Sequence, residues 1–88
     1  MNMAFVIRTD GTSERLWGDD KPTLTQIQEV VGGWIEHVPI IMEGMYMYCN
    51  EEGKLKGLPP NWLATNLIDF DDVICGDVVI MEEGDEEE

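Results

Sequence analysis

Residues 23–33 restrict the fold more than any other stretch of the chain, because they carry a helix start, a helix period and a helix stop in order. Thr23 is followed three residues on by Gln26, the capping-box pattern in which each side chain satisfies the other's free backbone N–H. Leu24, Ile27, Val30 and Val31 recur at helical spacing and make one apolar stripe. Gly32-Gly33 then closes the helix, since glycine accepts the left-handed backbone that ends one. A helix with one apolar stripe must lie on something apolar, and the rest of the chain has to supply that surface.

The other apolar segments are short and read as strands. Residues 3–8 are apolar and β-branched and stop at the turn dipeptide Asp10-Gly11. Residues 14–17, centred on Leu16, are expected to return beside them, and Gly18-Asp19-Asp20-Lys21-Pro22 breaks the chain. Residues 34–41 are strand-like, with Pro39 marking a sheet edge or a bulge because it lacks an N–H. Residues 45–49 form another strand. The turn Asn50-Glu51-Glu52-Gly53, with Lys54-Leu55-Lys56 beyond it, suggests a hairpin over residues 45–57 in which Gly53 takes a positive φ. After the rigid Leu58-Pro59-Pro60, Asn61 caps a short helix whose buried side draws on Trp62, Leu63, Ala64 and Leu67. Residues 73–81 close the domain as a strand bent at Gly76-Asp77. The expected fold class is α+β: a small, mainly antiparallel sheet with one or two short helices packed on it. Residues 1–82 would form a single domain and residues 83–88 a disordered acidic tail, since like charges in a row repel.

Charge limits the partners. The chain holds 19 Asp and Glu against 5 Lys and Arg, a net charge of −14. Residues 82–88 supply six acids and no base, so the body of the protein still carries −8. Direct binding to nucleic acid or an anionic membrane is therefore not expected, because both demand a surplus of cations. No stretch approaches the ~18 consecutive apolar residues of a membrane helix. Two cysteines, Cys49 and Cys75, and an N-terminus without a signal-peptide pattern point to the reducing cytoplasm.

No constellation for catalysis stands out, and a protein without enzymatic chemistry is expected. The one histidine, His37, lies in a strand, and a pairing with Cys49 across neighbouring strands has no supporting signature. One histidine and two distant cysteines cannot build a zinc site without carboxylates. Asp69-x-Asp71 begins like a calcium loop, but Val73, Ile74 and Ile80 occupy the positions where an oxygen ligand, a glycine and a glutamate would be needed. Neither a metal nor a cofactor is expected.

Several strings resemble a known family when taken together. They are Leu24-Thr25-Gln26-Ile27-Gln28 leading into Val31-Gly32-Gly33-Trp34-Ile35-Glu36, then Asn50-Glu51-Glu52-Gly53-Lys54, Leu58-Pro59-x-Asn61-x-x-Ala64, and Ile74-Cys75-Gly76-Asp77-Val78-Val79-Ile80. In this order they resemble domain of unknown function family 3846, found in phage, plasmid and prokaryotic genomes, with the likeness running from Leu24 to Ile80. The resemblance implies a small protein of mobile-element type, in the host cytoplasm if phage-encoded, and it transfers no catalytic residues.

Three uses of such a chain follow. In the first, carboxylates displayed in loops mimic nucleic acid and bind a basic, nucleic-acid-binding host protein; the candidates are Asp19, Asp20, Glu51, Glu52, Asp69, Asp71, Asp72, Glu82, Glu83 and Asp85. In the second, the acidity is an adaptation to a salt-rich cytoplasm. In the third, Tyr46 and Tyr48, which share a strand face, join Trp62 to line a small-ligand pocket or an oligomer interface, with the edge strand at Pro39 as a place for a homodimer to form.

Overall fold

The fold was taken from a computed structural model that describes residues 4–18 and 20–82. Five antiparallel strands form one sheet in the order β2-β1-β5-β4-β3, and two short helices pack on it. The α+β architecture read from the sequence is thus the observed one. Strand β1 (Ala4–Ile7) turns through Asp10-Gly11 into β2 (Ser13–Glu14), which is only two residues long. Asp10 holds this turn by accepting from both the backbone N–H and the hydroxyl of Thr12, at 2.9 and 2.7 Å. The return strand expected over residues 14–17 is displaced toward Ser13, and Leu16 and Trp17 lie in the turn after it.

Helix α1 (Leu24–Val31) starts with the expected capping box: the Thr23 N–H donates to Gln26 Oε1 at 2.8 Å and the Gln26 N–H to Thr23 Oγ1 at 3.2 Å. It ends at Gly32, whose φ of +86° permits its N–H to reach the Gln28 carbonyl. Ile27 and Val31 are buried and Val30 partly so, whereas Leu24, at the first position of the helix, stays 56% exposed. Strand β3 (Ile35–Pro39) pairs with β4 (Met45–Asn50) and lies at the sheet edge, where Pro39 costs no ladder bond.

The hairpin expected over residues 45–57 does not form. Both edges of β4 are already taken, by β3 on one side and by β5 (Val78–Glu82) on the other, so no edge remains for Lys54–Lys56. Residues 51–57 instead coil through successive turns, with the Lys56 N–H donating to the Glu52 carbonyl and the Leu58 N–H to the Gly53 carbonyl. Gly53 does not adopt a positive φ. It is needed for space, because a Cβ there would sit 2.8 Å from the Cys75 carbonyl oxygen.

Strand β5 is shorter than the sequence suggests, since Cys75 makes only an isolated bridge to Pro60 and Gly76 turns with a φ of +94°. Its run Val78-Val79-Ile80-Met81 shows no alternation because both of its faces are covered. Val79 and Met81 lie with Ala4, Val6 and Tyr46 beneath α1. Val78 and Ile80 lie with Ile7, Val38, Met47 and Cys49 beneath helix α2 (Trp62–Thr65) and the segment after it. In α2 only Ala64 is buried, and Leu67 just beyond it is partly so; of the others expected on the inner side, Trp62 is exposed and Leu63 is 41% exposed.

Asn61 fixes α2 to the sheet. Its Oδ1 accepts from the Ala64 N–H, while its Nδ2 donates to the carbonyls of Ile7 and Gly76, all at 3.0 Å. Replacing Asn61 by Ala removes the cap and strands two buried carbonyls, so a loss of about 2–4 kcal/mol is expected in urea unfolding. Asn61→Asp keeps the cap acceptor but turns a second acceptor oxygen toward the two carbonyls in a buried site, so it should lose at least as much as Asn61→Ala.

Candidate functional site

The strongest convergence of polar side chains is a cleft of about 340 Å³ at the end of the sheet where β4 runs out. Three chain segments make it. Strand β3 contributes Glu36, which the register places opposite Cys49 of β4. The coil after β4 contributes Glu51, Glu52 and Lys54, and the segment entering β5 contributes Asp72, Ile74 and Cys75. Four carboxylates therefore line the cleft against one ammonium group.

Local hydrogen bonding holds the two loops in place. Asn50 is buried: its Nδ2 donates to the Val31 carbonyl at 3.0 Å, and its Oδ1 accepts from the Glu52 N–H at 2.7 Å. The end of α1 is thus tied to the start of the acidic coil. Across the cleft, Lys54 forms an ion pair with Asp72, whose Oδ1 also accepts from the Val73 N–H. The hydrogen bond from Lys54, with a further one from the Val73 N–H, holds the Asp72 carboxyl below its usual range, and Asp72 raises the Lys54 ammonium in turn. Both side chains are in water, so the pair orients them more than it stabilises the fold.

Cys49 is buried and Cys75 partly so, and both are free thiols that line the cleft. Burial, reinforced by the carboxylates of Glu36 and Asp72, pushes the Cys49 thiol up from 9.0 to about 11. His37 stands opposite Tyr48, so it projects from the face of the sheet away from Cys49, and a nucleophile–base pair between them is ruled out by register. Among the described residues no three His, Cys, Asp or Glu side chains gather closely enough to hold a metal ion.

The carboxylates singled out from sequence divide between places. Glu51, Glu52 and Asp72 meet at the cleft, with exposed Asp69 and Asp71 on the segment leading into it. Asp20 is exposed in the turn before α1, and Glu82 lines a different, apolar groove at the end of β5. Asp19, Glu83 and Asp85, with the whole of the expected tail, lie outside the described residues. Glu36 was not anticipated; its place follows from the pairing of β3 with β4, which a single strand pattern does not reveal.

The expected grouping of Tyr46, Tyr48 and Trp62 does not occur. The two tyrosines lie on the α1 face, edge to face at 5.1 Å, with His37 stacked on Tyr46 at 4.4 Å. Trp62 belongs to α2 on the opposite face, 60% exposed, so the sheet separates it from them.

Comparison with known proteins gave one family match: the model described as Domain of unknown function (DUF3846) covers residues 1–88, extending past the Leu24–Ile80 likeness at both ends. No curated protein and no solved structure matches the chain.

The cleft's electrostatics set its thiol chemistry. A value of about 11 leaves Cys49 with a thiolate fraction about a hundredfold below that of an ordinary thiol at neutral pH. Iodoacetamide should therefore label Cys75 faster than Cys49 in the native protein, by about tenfold or more, and urea should narrow the difference. Peptide mass spectrometry of a labelling time course measures both rates.

Proposed function

The chain belongs to the DUF3846 family over its whole length, and we propose, from the cleft's own residues, that it acts without chemistry of its own, as an acidic interaction protein that grips a basic surface on a partner protein. The observation that supports this reading is the meeting of Glu36, Glu51, Glu52 and Asp72, from three separate segments, around one cleft with Lys54 as its cation. Carboxylates brought together in this way repel one another, and a guanidinium or ammonium group entering among them removes that repulsion. Glu51, Glu52 and Asp72 on their loops and Glu36 on the edge strand are all exposed, where a partner can reach them.

Size narrows the kind of grip. Together with Asp69 and Asp71 the group offers six carboxylates, equal to the charge on only about 10 Å of duplex axis at one charge per ~1.7 Å. That suits the seizing of one basic loop or patch, such as a nucleic-acid-binding protein presents, and not the imitation of a long duplex. The partner is thus a cationic protein surface, reached by electrostatic steering and sensitive to salt.

A labelled oligoarginine peptide is a sufficient probe. Binding is expected to weaken about tenfold between roughly 50 and 200 mM salt. The combined variant Glu51→Gln, Glu52→Gln, Asp72→Asn should lose about tenfold in affinity, while Glu14→Gln, Asp20→Asn, Glu29→Gln, with the same change in net charge elsewhere, should lose far less. Equal losses in the two variants would mean that bulk charge, and not the cleft, does the binding.

A further inference from the structure

The two faces of the sheet are not equally covered. The eight-residue α1 lies across one face, whereas the other has the four-residue α2 and, beside it, an open groove of about 480 Å³. Phe5 and Ile7 of β1, Met45 of β4 and Ile80 of β5 form its floor, with Met42, Leu63 and Leu67 along its wall. Met42 and Leu63 are 43% and 41% exposed at the lip, so apolar surface continues out of the groove. Among the described residues, Ser13 and Glu82 are its polar lining and no cation lines it.

A sheet face is ordinarily closed by a helix laid across it, and among the described residues the four-residue α2 leaves this groove open beside it. We infer that the groove takes an amphipathic helix of the partner protein, leucine-like side chains inward and basic residues at its flanks. Charge complementarity selects this occupant. Glu82 stands at the rim, and Glu43 is exposed in the turn whose ends, Met42 and Met45, line the groove. A second copy of the chain would bring those carboxylates against their own kind, which disfavours self-association at this face. A helix with cationic flanks meets them with opposite charge, and flexible methionines at the lip let its anchors settle. This inference rests on the basic-partner reading and adds to it a second, apolar contact on another part of the surface.

Two peptides of equal charge separate the contributions: a Leu/Lys peptide with leucines at helical i, i+3, i+4, i+7 spacing, and its Ala/Lys counterpart. At physiological salt the Leu/Lys peptide should bind at least about tenfold more tightly and gain helical circular dichroism on binding. Leu63→Asp, with circular dichroism and urea unfolding checking that the variant stays folded, should abolish the difference, whereas Leu55→Asp, on the 87% exposed coil outside the groove, should leave it intact. Equal affinity of the two peptides, indifference to Leu63→Asp, or binding without helix formation overturns the inference. If the Ala/Lys peptide still responds to the cleft variant in that event, the cleft reading survives alone; if it does not, both fall.

Discussion

The fold turns on one buried amide. Asn61 is fully buried, and every hydrogen-bonding group it has is used: its N–H donates to Ile74, its carbonyl accepts from Thr65, and its side chain joins Ala64, Ile7 and Gly76. One residue thereby ties the start of α2, the end of β1 and the approach to β5. These three segments are far apart in sequence and have little regular structure of their own at that point, so backbone groups there would otherwise be buried without partners. Asn50 plays the same part at the other end of the sheet, between α1 and the acidic coil. In so small a domain, two asparagines do what longer helices and wider sheets do by packing.

Legibility in the sequence followed the range of the interaction. The α1 cap, stripe and glycine stop are all settled within eleven residues, and they were readable because each signal is local. The Asp10-Gly11 turn and the Asn61 cap were readable for the same reason, although the further bonds from Asn61 to Ile7 and Gly76 were not. The hairpin expected at residues 45–57 failed because nothing local tells Lys54-Leu55-Lys56 that both edges of β4 are occupied by strands from elsewhere in the chain. Gly53 misled in a similar way: its reason is the approach of Cys75, twenty-two positions away, and not its own φ. As for the site, the acidic loops at residues 51–52 and 69–72 were visible as loops, but their meeting was not, and Glu36 joins them only through strand register. Tyr46 and Trp62 were linked by composition alone, which cannot say which side of a sheet a residue occupies.

The same physics accounts for how an acidic cleft persists. Glu36, Glu51, Glu52 and Asp72 give the cleft an excess of negative charge, and the Lys54–Asp72 pair, in water, adds little stability. What holds the segments together is neutral: the Leu58 N–H on the Gly53 carbonyl, the Gly76 N–H on the Pro59 carbonyl, the Asn61 N–H on the Ile74 carbonyl, and the close seating of Gly53 against Cys75. These contacts do not depend on salt or on the ionisation of the carboxylates, so the cleft keeps its shape while its charge goes uncompensated. A cleft held open in this way does not have to reorganise to admit a ligand.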